Sequence, residues 1–378
     1  MGRRIIRSHR RKEKKNLILL DYIDKDSPDI FYRDVESKCL KPYTGSEEVF
    51  LSIVIPTYKR AKYLEEAIES ALNQRNVRIN YEIVVVNNDP QTDMSALIEK
   101  YKCIPNISFY VNGKNIGMMG NWNRLLMLSK GKWIAYCHDD DMVKDDYISE
   151  MTKILKNDKY SNAGGICVCR DYVFEVQTEE QKQKARSLLL WELCRVINRA
   201  LISFRYLYRK DIEKITPYKS LYLMQNIYNA MSCGTVFSRE KFLSYGGWHE
   251  ENYPVADWYT SLRFNEDNDI YMVRKKLGIS RMAVNASLTL RLAEWFIPTI
   301  RILQREWKDE KVNKVLKKDR DIAISAMMEA MTPEDREEVC RYFNIGFKRY
   351  SKLRLKLHAI KKRFWSLMHN IDWELQGR

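Results

Sequence analysis

Read for its apolar and polar positions, the chain becomes regular at residue 51. "LSIVIPTY" is apolar without alternation, as in a strand covered on both faces. "AKYLEEAIESALNQ" follows, with Leu64, Ala67, Ile68, Ala71 and Leu72 at helical spacing. The unit recurs in kind: "YEIVVVNND" (81–89) predicts a second buried strand, 93–101 a short helix, and "ISFYVN" (107–112) a third strand. A helix over 118–129, a fourth strand at "KWIAYCH" (132–138) and a helix over 144–156 complete the series. This alternation predicts an α/β domain on a mostly parallel, doubly wound sheet. Such sheets bind ligands at the carboxyl ends of their strands. Three of the predicted ends are polar: Thr57-Tyr58, Asn87-Asn88-Asp89, and His138 to Asp141.

Beyond about residue 172 the pattern changes. Residues 178–214 read as long helix, and 231–264 as a strand, a short helix, a Gly-Gly turn and a helix opening near Asp257. From 297 to the end the reading is helical, with Pro298 and Pro333 as punctuation. The expected division is a basic N-terminal extension (1–50), a central domain (51–295, with halves at 51–142 and 143–295) and a helical basic C-terminal extension (296–378).

Charge sharpens that division. The formal net charge is +15, yet residues 1–15 carry eight Lys/Arg with one Glu, and residues 347–365 carry eight with no acid. The remainder holds 49 basic and 49 acidic residues, so the body is neutral. Basic ends on a neutral globule point to an anionic surface gripped from outside, and away from nucleic acid. Phe347, Tyr350, Leu353, Leu357, Ile360 and Phe364 recur every three or four residues between the basic ones. A helix so built lies on an anionic bilayer with Trp365 at the interface, or packs its stripe on the domain.

Eight cysteines without a CxxC pair, and five histidines, argue against a disulfide framework or structural zinc and fit a reducing cytosol. No apolar run approaches the roughly 18 residues of a spanning helix, and basic residues interrupt every signal-peptide candidate. The expectation is a cytoplasmic, peripherally membrane-associated protein.

Asp139, Asp140 and Asp141 stand together directly after an apolar run. Carboxylates so crowded raise one another's pKa unless they share a cation, and Mg2+ or Mn2+ takes oxygen ligands while leaving room for substrate phosphates. The competing reading is a solvated turn that caps the helix near residue 144.

"SIVIPTYKRAKYLEEAIESALNQ", "EIVVVNND", "NIGMMGNWNRLLMLSKGKWIAYCHDDD" and "GTVFSREKFLSYGGWHEE", followed by "ADWYTSLRF", resemble the successive motifs of inverting family-2 glycosyltransferases, over residues 51 to about 290. The resemblance implies the GT-A fold, a Rossmann-like, mostly parallel central sheet flanked by helices. It implies that Pro56, Thr57 and Tyr58 hold the nucleoside, with Arg60 near the diphosphate. Asn87 stands where the family usually has an Asp that reads uracil. Asn88, Asn115, Gly117 and Asn123 join the donor site. On the family's Asp-x-Asp metal motif, His138 takes the first position, Asp139 the middle and Asp140 the last. Asp140 is then the leading metal ligand, Asp141 a ligand or its support, Asp139 faces ribose or sugar, and His138 is a ligand or a hydrogen-bond donor to phosphate. Asp257 matches the general base, with a helix N-cap as its alternative, and Gly246, Gly247 and Trp248 shape the acceptor side. Lys114 and Arg124 rank low as phosphate contacts. The His that many relatives carry near "SRMAVNAS" (280–287) is absent.

The function implied is metal-dependent transfer of a sugar from a nucleoside diphosphate, UDP first, to a glycan or lipid-linked glycan in polysaccharide or cell-wall assembly. A sugar-nucleotide pyrophosphorylase would want a Gly-rich phosphate loop, which "PTYKRAKY" lacks. A nucleic-acid-binding protein would want a recognisable binding motif.

Overall fold

The structure, a computed structural model, describes residues 32–174 (except 33 and 47), 215–217, 233–249 and 255–282, and further on 322, 328–329, 331–343, 346–351, 353–354 and 357. Its centre is a parallel group of strands: β2 (Leu51–Thr57), β3 (Tyr81–Asn87), β4 (Ile107–Asn112) and β5 (Trp133–Tyr136), with β1 (Ser37–Lys41) ahead of them in the chain. β6 (Met142–Val143), β7 (Gly165–Phe174), β8 (Ile215–Pro217), β9 (Val236–Ser238) and β10 (Ile270–Met282) continue the same sheet. The order is β1-β4-β3-β2-β5-β9-β7-β10-β6, with β8 also paired to β10. β4, β3, β2 and β5 run parallel; β9 is antiparallel to both β5 and β7, and β7 and β10 are parallel again.

Strand faces alternate and each face buries its own layer. Val54, Val84, Val86, Ile134 and Tyr136 face one core, shared with Trp122, Leu125, Phe242, Trp248, Trp258 and Phe264. Those side chains come from α3 (Gly117–Leu128), α5 (Arg239–Tyr245), α6 (Ala256–Asp267) and the turn at 246–248. Ile53, Ile55, Ile83, Val85 and Ala135 face the other, with Leu64, Ala67 and Ile68 of α1 (Ala61–Leu72) and Ile148 and Met151 of α4 (Tyr147–Leu155). The short α2 (Ser95–Lys100) completes that side, and α7 (Pro333–Phe343) lies near the C terminus.

The predicted strands and helices of 51–156 are all present, each within a few residues of its expected bounds. Two expectations change. Ser37–Lys41 was expected in the N-terminal extension but is the antiparallel edge strand on β4, so the sheet begins earlier. Its sequence, SKCLK, is mostly polar, with Lys38 and Cys39 exposed, and has no apolar run to announce it. At the other end, residues 346–351 are not helical, so the expected amphipathic helix does not begin at Phe347. Phe347 instead lies under the Arg336 guanidinium, 4.6 Å from it, and Arg349 pairs with Glu329 at 2.7 Å. The expected helix over 178–214 and most of the basic tail lie outside the described residues.

The entry to β5 is tight. A Cβ on Gly131 would lie 2.5 Å from Ser52 Oγ and 2.6 Å from its amide nitrogen. Gly131→Ala is expected to cost about 1–3 kcal/mol by overpacking. Denaturant unfolding checks this, and an unchanged midpoint would refute it.

Candidate active site

The polar residues gather where the parallel strands end. β2 delivers Thr57 and Tyr58, β3 delivers Asn87 to Asp89, and β5 runs into the turn His138 to Asp141, closed by Asp141 N–H donating to the His138 carbonyl at 3.1 Å. All three aspartates are at most 6% exposed, so the solvated-turn reading does not describe them.

They are not equivalent. Asp139 turns toward β2, accepting from Thr57 Oγ1 at 2.9 Å, from the Tyr58 amide at 3.4 Å and from Arg60 at 3.3 Å. Asp140 pairs with Arg60 at 2.6 Å. Asp141 accepts the Arg281 backbone N–H at 3.0 Å, with its other oxygen 3.5 Å from His138 Nδ1. His138, Asp140 and Asp141 each bring one possible ligand atom within 4.8 Å of the others.

The electrostatics show a cluster short of positive charge. Burial pushes the Asp139 carboxyl up to about 6, with Arg60 pulling it down and Asp140 pushing it further up. Burial and then Asp141 raise Asp140, against His138 and Arg60. Burial alone would lower the His138 imidazole, but the Asp141 contact and the neighbouring carboxylates carry it above its ordinary value. The ring stacks on Trp122 at 4.9 Å, and its buried Nε2 has no hydrogen-bond partner among the described residues. Crowded carboxylates with raised pKa values beside an orphaned imidazole nitrogen fit a divalent cation.

Asp257 sits in the first turn of α6, half-buried, with Oδ1 accepting the Trp258 amide at 2.8 Å. It is not the N-cap, a position held by Val255, because the helix opens at Ala256, ahead of the expected start. Burial raises its carboxyl, while the Trp258 amide and the charges of His138 and Arg170 oppose that rise. Asp257 thus lies near enough to His138 for their charges to interact.

The expected donor residues divide by what their polar atoms already do. Tyr58 is 42% exposed beside the acidic turn, with the Lys59 ammonium 5.1 Å from its ring; Asn115 is exposed and Gly117 half-exposed. Pro56 is buried in β2 opposite Val86. Asn87 gives its amide to the Asp89 carbonyl at 2.9 Å and takes the Asp89 N–H at 3.0 Å. Asn88 bonds Asn115, Gly117, Asn112 and the Ile116 amide, which fixes the loop ahead of α3. Asn123 exchanges two bonds with the Trp248 backbone, at 2.9 and 2.7 Å, and is fully buried. The turn it holds contains Gly246 and Gly247, both at positive φ, where a side chain on Gly247 would run into Asn123. Arg124 serves the N-terminal segment, donating to the Tyr32 and Val35 carbonyls.

Sequence reading missed Arg281, which β10 brings against the acidic turn. Only the strand register shows it: extending the β10–β6 pairing of Gly278 on Val143 and Ile279 on Met142 sets Arg281 opposite Asp140.

Residues 52–246, more than half of the chain, match the family model for glycosyl transferase family 2, and the chain belongs to that family. That membership speaks against the pyrophosphorylase and the nucleic-acid-binding protein. One relative is the uncharacterized glycosyltransferase MG060 of Mycoplasma genitalium, 29% identical over 114 residues, 29% of this chain and 38% of that protein. Another is the minor teichoic acid biosynthesis protein GgaB of Bacillus subtilis, 27% identical over 130 residues, 34% of this chain and 14% of that protein. The match therefore spans well under half the length of either relative. The crystal structure of S. aureus TarS 1-349 superposes with a TM-score of 0.53 at 14% identity, covering 78% of this chain and 80% of that one, a likeness of GT-A fold.

The raised Asp139 carboxyl gives a pH signature in chelator. Between its ordinary value of 3.8 and about 6, the folded state keeps a proton that the unfolded chain releases, so this group's contribution to stability falls as pH rises. The melting temperature of Asp139→Asn relative to wild type should therefore climb from pH 4 to about pH 6 and then level. A difference flat across that range would mean an ordinary Asp139 carboxyl.

Proposed function

We propose that this chain is a metal-dependent, inverting glycosyltransferase that moves a sugar from a nucleoside-diphosphate donor, a UDP-sugar first, to a saccharide or lipid-linked saccharide. The observation that carries the reading is the convergence of His138, Asp140 and Asp141 at the end of β5, with Asp257 near enough for the His138 charge to act on its carboxyl. Together they offer what glycosyl transfer requires: neutralisation of a departing diphosphate and a base for the incoming hydroxyl.

In this reading Tyr58, Asn115 and Gly117 border the nucleoside, while Thr57 and Arg60 hold Asp139 toward the ribose or sugar. Asn87, Asn88 and Asn123 contribute through the backbone they fix. His138, Asp140 and Asp141 hold Mn2+ or Mg2+, which supplies Lewis-acid neutralisation of the leaving phosphate when bound. Arg60, paired to Asp140 at 2.6 Å, is placed to shift its charge to the diphosphate. Asp257 receives the acceptor hydroxyl's proton. The Trp258 N–H occupies one of its oxygens and leaves the other for the substrate, and burial strengthens it as a base.

The acceptor is proposed as lipid-linked on two grounds: the run of eight basic residues without an acid over 347–365, and the exposure of Leu353 and Leu357 at 68% and 58%. Similarity to a teichoic acid biosynthesis protein supports a cell-envelope polymer as the setting. No helix among the described residues is long and apolar enough to cross a membrane, and the proposed attachment is peripheral.

Thermal shift with UDP, GDP, CDP and dTDP, each with and without Mn2+, tests the donor assignment. UDP with Mn2+ should stabilise most, and no response to any nucleotide would overturn the reading. In the same assay Asp257→Asn should keep the donor shift while losing transfer by 100-fold or more, on the order of what a general base supplies; retained turnover removes Asp257 from that role. Deleting residues 347–378 should release the protein from anionic vesicles and spare nucleotide binding, and unchanged vesicle association would count against the tail.

A further inference from the structure

Arg281 is 4% exposed, and four contacts with described residues hold it. Its backbone N–H donates to Asp141 Oδ1 at 3.0 Å and its Nε to the Asp140 carbonyl at 3.2 Å. Its guanidinium lies 4.6 Å from the Tyr63 ring centre, and Nη2 pairs with Glu66. Tyr63 and Glu66 belong to α1, which begins one residue after Arg60. One side chain thus joins β10, the acidic turn and the helix that follows Arg60.

We propose that Arg281 is a positioning residue that sets the aim of Asp140 and Asp141 at the divalent ion; the inference rests on the metal reading above. On Asp141, Oδ1 accepts the Arg281 backbone N–H, and Oδ2 lies 3.5 Å from both His138 Nδ1 and Ser280 Oγ, so the β10 backbone and its neighbour hold that carboxylate while the Arg281 side chain acts on the turn before it. The bond from Nε to the Asp140 carbonyl fixes the peptide between the two aspartates, and with it the directions in which their carboxylates leave the backbone. The two arginines of the site differ in this respect. Arg60 contacts the Asp140 carboxylate itself, on an oxygen that a cation would want. Arg281 contacts a carbonyl on the turn and a carboxylate on α1, so it adds positive charge behind the cluster without occupying a ligand position. A lysine at 281 keeps the charge but lacks the planar fork needed to reach Asp140 and Glu66 together while lying on Tyr63.

The test is Mn2+ titration of the full chain, followed by electron paramagnetic resonance of the free ion, beside thermal melting. Arg281→Lys is expected to weaken Mn2+ binding by roughly tenfold or more, the scale of losses when a group supporting metal ligands is removed. Glu66→Gln, which keeps the arginine and frees its outer end, should show a smaller loss. A merely structural arginine would lower the melting temperature and leave Mn2+ affinity alone. Folded Arg281→Lys protein that binds Mn2+ like wild type overturns the proposal. If that variant does not fold, Glu66→Gln decides: weakened Mn2+ binding supports the positioning role, and unchanged binding overturns it. A wild-type chain that binds no Mn2+ overturns the metal reading, and the proposal with it.

Discussion

Burying three consecutive carboxylates is the constraint to which the centre of this domain answers. Removing one carboxylate from water costs several kcal/mol unless charge and hydrogen bonds replace its hydration. The replacements come from every side: Thr57 and the Tyr58 amide from β2, Arg60 from the start of α1, the Arg281 amide from β10, and His138 from the turn itself. Helix α1 and strand β10, far apart in sequence, both close on the turn, and the Arg281–Glu66 pair joins them there. Even so, Asp139 and Asp140 stay above their ordinary values, because burial outweighs the positive charge and hydrogen bonds around them.

Sheet topology explains why the cluster sits where it does. The parallel strands end at β5, and from there the pairing turns antiparallel through β9. The acidic turn leaves β5 at that seam. On its parallel side stand the ends of β2 and β3, and beyond β9 in the chain come the 246–248 turn and Asp257. A reaction that joins a nucleotide-borne group to a second substrate can use both sides of such a seam.

Much of this was legible in the sequence, for physical reasons. Buried parallel strands such as LSIVIPT and YEIVVVN read as unbroken apolar runs, and the polar residues that end them stand out by contrast. What escaped reading lacked that contrast. β1 is a polar edge strand whose pairing with β4 depends on partners some seventy residues away. Arg281 has the residue type of a surface cation, and only strand register brings it to the acids. Asn88 and Asn123 show a further limit: motif position names the residue, but only the structure shows whether its amide faces ligand or backbone.

Helix α3 has a consequence for the size of what can react. Gly117 at its first position belongs to the proposed nucleoside border, and Asn123, six residues on, holds the turn at Trp248. Six residues of helix span about 9 Å along its axis, and a helix packed against the sheet neither stretches nor shortens. It acts as a spacer of fixed length between the nucleoside border and the Trp248 turn. On the proposed reading, an acceptor of any size meets a nucleoside border and a Trp248 turn held a fixed distance apart.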